Sequence, residues 1–71
     1  MDEGKFAVLQ MKYARIVELL ADTVAGLSRA EAMRLLYNSQ TMELMEKGIA
    51  DLHCMSDQYL ADEVAYEYGL L

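Results

Sequence analysis

Apolar side chains recur along most of this chain at three- and four-residue steps, the spacing of one face of an α-helix. The longest such stripe lies in the first third and predicts a helix over residues 5–25. Charged residues occupy its other side, where Arg15 lies at helical pairing distance from Glu18 and Asp22. The stripe itself consists of Phe6, Leu9, Tyr13, Ile16, Val17, Leu20 and Val24.

Capping residues divide the middle of the chain into shorter helices. Ser28 is followed three residues later by Glu31, the pattern of a reciprocal capping box, and predicts a helix from Ser28 through Tyr37. Residues 38–39 (Asn-Ser) are good caps, so either a third helix begins there or the second continues with a kink. Gly48 suits the left-handed position just past a helix end.

The last predicted helix begins after Ser56 and ends at Gly69, and residues 49–55 lack a helical stripe and read as a loop or a short extended piece. These elements predict an all-α fold, a compact bundle of about four helices, two long and two short. We expect one domain over residues 1–71, with residues 1–4 as a flexible N-terminus. The apolar positions assigned to the core of the later helices are Ala32, Met33, Leu35, Leu36, Met42, Leu44, Met45, Leu60, Ala61, Val64 and Tyr68.

Composition limits the classes of protein that this chain can belong to. With 71 residues, 55% of them hydrophobic, it is too apolar for disorder but small enough to have marginal stability alone. Its single cysteine excludes an intrachain disulfide, so a second copy or a partner is the expected source of extra stability. The absence of a long apolar run and of a signal-peptide pattern, together with one unpaired thiol, predicts a cytoplasmic protein.

The charge balance indicates what kind of partner the protein would favour. Twelve acidic against six basic residues give a formal charge of -6. Such a chain repels nucleic-acid phosphates and anionic membranes on average. Charge complementarity therefore favours a protein partner with a basic face.

Residues that could carry catalysis are few. His53 and Cys54 are adjacent, and neighbours in an extended segment point to opposite sides, so they are badly placed to act as base and nucleophile. Cys54 is expected to be a small buried thiol. No pair shows a recognised metal-ligand spacing. We therefore expect neither an enzyme nor a bound metal or cofactor.

A second set of apolar side chains falls outside the main helical stripes. On the first helix this set lies on the charged side, and on the last helix two tyrosines seven residues apart oppose the inward stripe. Aromatic residues and methionine are enriched at protein interfaces. We therefore predict that a partner or a second copy covers Val8, Met11, Leu19, Tyr59 and Tyr66.

The chain also resembles a small uncharacterised bacterial family, a domain of unknown function. The resemblance is carried by Leu-Ser-x-x-Glu-Ala-x-x-Leu-Leu-Tyr-x-Ser over residues 27–39, by Glu-Leu-Met at 43–45, and by Leu-His-x-x-Ser-x-x-Tyr-Leu at 52–60. It implies a short helical cytoplasmic protein with no established activity. It further implies that one structural or recognition cluster contains Tyr37, Ser39, His53, Ser56 and Tyr59.

Together these features predict a non-enzymatic protein-interaction module, antitoxin- or adaptor-like, that self-associates or binds a partner with a basic face. The alternative is a helix-turn-helix regulator of DNA formed by the second and third helices. Its recognition helix would offer Gln40, Thr41 and Lys47 to the nucleic acid, beside Glu43 and Glu46.

Overall fold

The computed structural model describes the backbone of residues 3–48 and 54–71 and the side chains of residues 10–48 and 54–71. Over these residues the chain forms four helices and no strand: α1 (Glu3–Thr23), α2 (Arg29–Tyr37), α3 (Gln40–Lys47) and α4 (Asp57–Glu67). The predicted all-α bundle is confirmed. The boundaries follow the predicted ones closely, and α4, with 11 residues, is closer in length to α2 than to the 21-residue α1.

A serine side chain caps the N-terminus of each of α2, α3 and α4. The Ser28 hydroxyl accepts from the Glu31 amide at 3.1 Å while the Glu31 carboxylate accepts from the Ser28 amide at 3.3 Å, which completes the predicted capping box. Ser39 and Ser56 accept in the same way from amides in the first turns of α3 and α4. Because Ser39 starts a new helix, the possibility of a continuous, kinked second helix does not apply.

The end of α4 is fixed by its own backbone. Gly69 has φ +70°, a left-handed conformation that residues with a Cβ rarely adopt. Its amide donates to the Tyr66 carbonyl at 3.0 Å, and the Leu70 amide donates to the Ala65 carbonyl at 2.8 Å. These paired bonds form a Schellman motif, which satisfies carbonyls that a helix end otherwise leaves open. Gly48 also has positive φ, as predicted, and so does Gly26, which follows α1.

The core lies where α1 meets α2 and α4, and α3 packs against α2 and α4. Its largest side chains with no exposed surface are Ile16, Leu20, Leu36, Leu60 and Val64. Smaller and more adaptable residues complete it, namely Tyr13, Val17, Ala32, Met42, Met45, Ala61 and Ala65. All of these lie on the predicted inward stripes or directly beside them.

Several apolar side chains lie elsewhere than predicted. Met33 is 50% exposed, since α2 buries only the narrow stripe through Ala32 and Leu36, and Met33 lies to one side of it. Leu19 is half-buried against the core rather than lying on the charged side of α1. Because α1 contacts both α2 and α4, its buried face is broader than a single stripe. Cys54 is exposed, so the prediction of a buried thiol is wrong.

Candidate protein-interaction face

The beginning of α4 is bound to α1 by charged side chains. Lys12 donates to the Asp57 carboxylate at 2.6 Å and to the Met55 carbonyl at 2.7 Å. Arg15 reaches the other Asp57 oxygen at 3.6 Å. Asp57 is in the first turn of α4, where the helix dipole favours a negative charge. We call this arrangement the N-terminal clasp of α4.

The end of α4 is bound to the beginning of α3 by Glu67. One carboxylate oxygen accepts from the Gln40 amide at 2.8 Å, and the other accepts from the Thr41 amide at 3.0 Å and the Thr41 hydroxyl at 2.6 Å. Partial burial raises the pKa of Glu67, but these hydrogen bonds outweigh it and lower the pKa below its ordinary value. We call this arrangement the C-terminal clasp.

Glu67 is at the end of its own helix, where the dipole disfavours a negative charge. The first amides of α3 offset this, since the start of a helix attracts anions. Just beyond α4, the Tyr68 hydroxyl donates to the Leu35 carbonyl at 3.0 Å and so ties the end of α4 to α2. Tyr68 was predicted to be a core residue, but it is 39% exposed. Bonds to α1, α2 and α3 thus hold α4 at both ends.

The outward side of α4 carries a different set of side chains. Tyr59 and Tyr66 are seven residues apart, two helical turns, and are 45% and 74% exposed. Asp62 and Glu63 lie in the turn between them, where Glu63 is exposed and Asp62 is half-buried. We call Tyr59, Asp62, Glu63 and Tyr66 the tyrosine face.

Within the described residues, no basic side chain neutralises the charge of the tyrosine face. The sequence has no lysine, arginine or histidine after His53. Asp62 accepts a hydrogen bond from the Gln58 amide group at 2.8 Å, which adds no charge. Among the side chains that the structure describes, no basic group forms an ion pair with Asp62 or Glu63. The face therefore combines exposed aromatic rings with carboxylates that have no counter-ion among the described side chains.

The residues predicted to meet a partner are distributed as follows. Tyr59 and Tyr66 belong to the tyrosine face, and Met11 is 73% exposed on α1. Leu19 contributes to the core instead, and the Val8 side chain lies outside the described residues. Sequence reasoning missed Asp62 and Glu63, although the helical spacing that paired the tyrosines places these carboxylates between them.

The described members of the predicted recognition cluster have separate local roles. The Tyr37 ring packs edge-on against Tyr13, with ring centres 6.3 Å apart. Ser39 and Ser56 cap different helices. Burial raises the pKa of Tyr13, and the nearby Glu46 and Tyr37 raise it further. Tyr59 belongs to the tyrosine face, and His53 lies outside the described residues.

Two of the three residues predicted to contact DNA, Thr41 and Lys47, use their side chains within the protein. Thr41 is buried and holds Glu67, and Lys47 pairs with Glu43 at 2.8 Å along α3. Gln40 is exposed, but its backbone amide is bound by the same Glu67 carboxylate. The rest of the outward surface of α3 includes Glu43 and Glu46, which repel phosphates.

One open depression among the described residues lies outside the tyrosine face. An open depression between α1 and α2 is lined by Glu18, Ala21, Asp22 and Arg29, of which Glu18 and Arg29 bond to each other at 3.2 Å. Within residues 10–48 and 54–71, no three His, Cys, Asp or Glu side chains are grouped so as to hold a metal ion. Across the described helices, none has both the length and the apolar character that crossing a bilayer demands.

Comparison with known proteins identifies no relative of this chain. No protein-family model matches the chain, and searches of curated proteins and of solved structures give no significant match. The resemblance to a bacterial family therefore stays a prediction.

Proposed function

We propose that this protein is a non-enzymatic interaction module that presents the tyrosine face of α4 to a partner protein with a basic surface. The observation that carries the proposal is the pairing of exposed aromatic rings with carboxylates that lack a described counter-ion. Rings with a polar tip supply contact area at protein interfaces. Uncompensated carboxylates attract a basic partner and speed its encounter.

The clasps of α4 support the same proposal. An interface pays an entropic penalty for every group that it must order on binding. Because α4 is bound at both ends to other helices, its outer face is already in position. A partner then meets a rigid surface, as an adaptor or an antitoxin that masks a basic face would require.

The sign of the charge favours a different protein over a second copy as the partner at this face. Two copies meeting through Asp62 and Glu63 would place like charges together, which is unfavourable at an interface. The single exposed thiol, Cys54, fits a reducing compartment, and we place the interaction in the cytoplasm. Self-association would then use another surface of the protein, and light scattering of the purified chain measures it.

Site-specific photo-crosslinking in the source cell tests the proposal. A photoreactive phenylalanine analogue replaces Tyr66 in one variant and Met33 in a control variant, since both side chains are exposed but on different helices. We expect a discrete adduct with a basic protein from position 66 and little from position 33. Equal adducts from both positions, or none from position 66, would contradict it.

The helix-turn-helix alternative makes an opposing prediction that is simple to test. Because α3 exposes Glu43 and Glu46 and its first amides already hold Glu67, we expect no shift of duplex DNA in gels run at low salt. A shift that disappears when Lys47 is replaced by Glu would instead support the DNA-binding alternative.

A further inference from the structure

The spacing of the tyrosine face restricts the shape of the partner segment. Tyr59 and Tyr66 are separated by seven residues, about 10.5 Å along the helix axis at 1.5 Å per residue. Asp62 and Glu63 fall midway, so contact groups repeat about once per helical turn along one line. A second helix lying along α4 presents side chains with the same repeat.

The chemistry of the face restricts the side chains of that segment. The face of an aromatic ring attracts a guanidinium group, and arginine also forms paired hydrogen bonds with carboxylates. Arginine can therefore satisfy both kinds of group on the tyrosine face. Lysine can supply the charge but neither the planar stacking nor the forked geometry.

An extended peptide fits this surface less well than a helix. The backbone groups of α4 are already bonded within the helix and through its caps. The face therefore offers no free strand edge, and an extended chain would gain no ladder of main-chain hydrogen bonds. Recognition must come from side chains alone, which a helix can align in advance.

We propose that the tyrosine face binds a helical segment of another protein that carries arginines at positions i, i+4 and i+7. The outer arginines stack on Tyr59 and Tyr66, and the middle arginine bonds to Asp62 and Glu63. This inference rests on the proposed function and adds the secondary structure and residue type of the partner. It also predicts that binding weakens as salt concentration rises.

Synthetic peptides and the isotopically labelled full chain test the inference by NMR. One alanine-rich helical peptide carries arginines at i, i+4 and i+7, and a second peptide has the same composition with its arginines spread around the helix. We expect the first peptide to shift the amide resonances of the tyrosine face and to bind about tenfold more tightly than the second.

Variants of the protein identify the groups that produce this preference. Tyr66→Leu keeps an apolar side chain but removes the ring, and should reduce affinity for the matched peptide several-fold. The double variant Asp62→Asn with Glu63→Gln should lose most of the binding. Its control, Asp22→Asn with Glu46→Gln, changes the net charge equally at exposed positions away from the face and should leave affinity unchanged.

The outcomes separate this inference from the proposed function. Equal affinity for both peptides, or no shift at the tyrosine face with the matched peptide, overturns the arginine-helix inference. The crosslinking result at position 66 is independent of either peptide. A basic adduct there together with a failed peptide titration would leave an interaction module whose partner is not an arginine-bearing helix.

Discussion

Asp57 and Glu67 mark the two ends of α4, whereas Asp62 and Glu63 lie in its middle. The end carboxylates are bound to Lys12 of α1 and to the first amides of α3. The middle carboxylates have no basic partner among the described side chains and lie between exposed tyrosines, Glu63 exposed and Asp62 half-buried. The same residue type in one short helix thus binds neighbouring helices at the ends and has no described basic partner in the middle.

This difference shows what decides the role of a charged residue here. All four residues are acids of one helix, but their position along the helix and the element beside them differ. Where α1 or α3 brings a donor close, the carboxylate holds the fold together. Where no described basic group lies close, the carboxylate contributes to the surface potential.

The largest expected change in the free energy of unfolding comes from the inner side of α4, compared with its outer side. Leu60 has no exposed surface, so Leu60→Ala should lower the free energy of unfolding by about 2–5 kcal/mol. Tyr66→Ala, on the outer side, should change it by less than about 0.5 kcal/mol. Urea unfolding followed by circular dichroism measures both. Similar losses from the two variants would mean that the tyrosine face is part of the core.

The next largest change in the free energy of unfolding is expected at the C-terminal clasp, compared with the middle of α4. Glu67→Gln removes the charge that accepts from Gln40 and Thr41 and should destabilise the protein by about 1 kcal/mol, a value reduced by solvent screening at this exposed site. Glu63→Gln is the matched control and should have almost no effect. Equal unfolding midpoints for the two variants would show that the clasp adds no stability.

The clasp should also make stability depend on pH in a defined direction. The pKa of Glu67 is lower in the folded protein than its ordinary value of 4.5. The unfolded chain therefore takes up the proton first as pH falls, and the stabilising contribution, complete above that value, is lost as pH falls through the lowered pKa. The stability difference between wild type and Glu67→Gln should be full at about pH 7 and should shrink steadily as the pH falls below 4.5 through the lowered pKa. A difference that grows on acidification would contradict the assignment.

The parts of the fold that sequence predicted are those set by near neighbours. The capping box of Ser28 and Glu31 spans three residues, and Gly69 ends α4 through bonds to residues within its last turn. Such signals are complete within a few residues of chain, so they can be recognised without knowing the tertiary arrangement.

The parts that sequence did not predict depend on distant contacts. Arg15 was paired with Glu18 and Asp22 from helical spacing, but it reaches Asp57, and Glu18 binds Arg29 instead. The clasps join residues 26 to 45 positions apart. Likewise Leu19 is half-buried because α1 contacts two other helices, which its own periodicity does not reveal.

The smallest expected effect lies within the N-terminal clasp itself. Lys12 is only 17% exposed and lies 2.6 Å from Asp57, whereas Arg15 is 69% exposed and 3.6 Å away. A double-mutant cycle with Asp57→Asn should give a coupling free energy of about 1 kcal/mol with Lys12→Met.

The matching cycle with Arg15→Gln should give less than about 0.3 kcal/mol, because an exposed arginine loses side-chain freedom and is screened by salt. Both cycles are measured by urea unfolding at low and high salt, and the smaller coupling should vanish first. If Arg15 instead couples to Asp57 as strongly as Lys12 does, the two bases share the clasp equally, and burial is not what makes an ion pair stabilising at this end of α4.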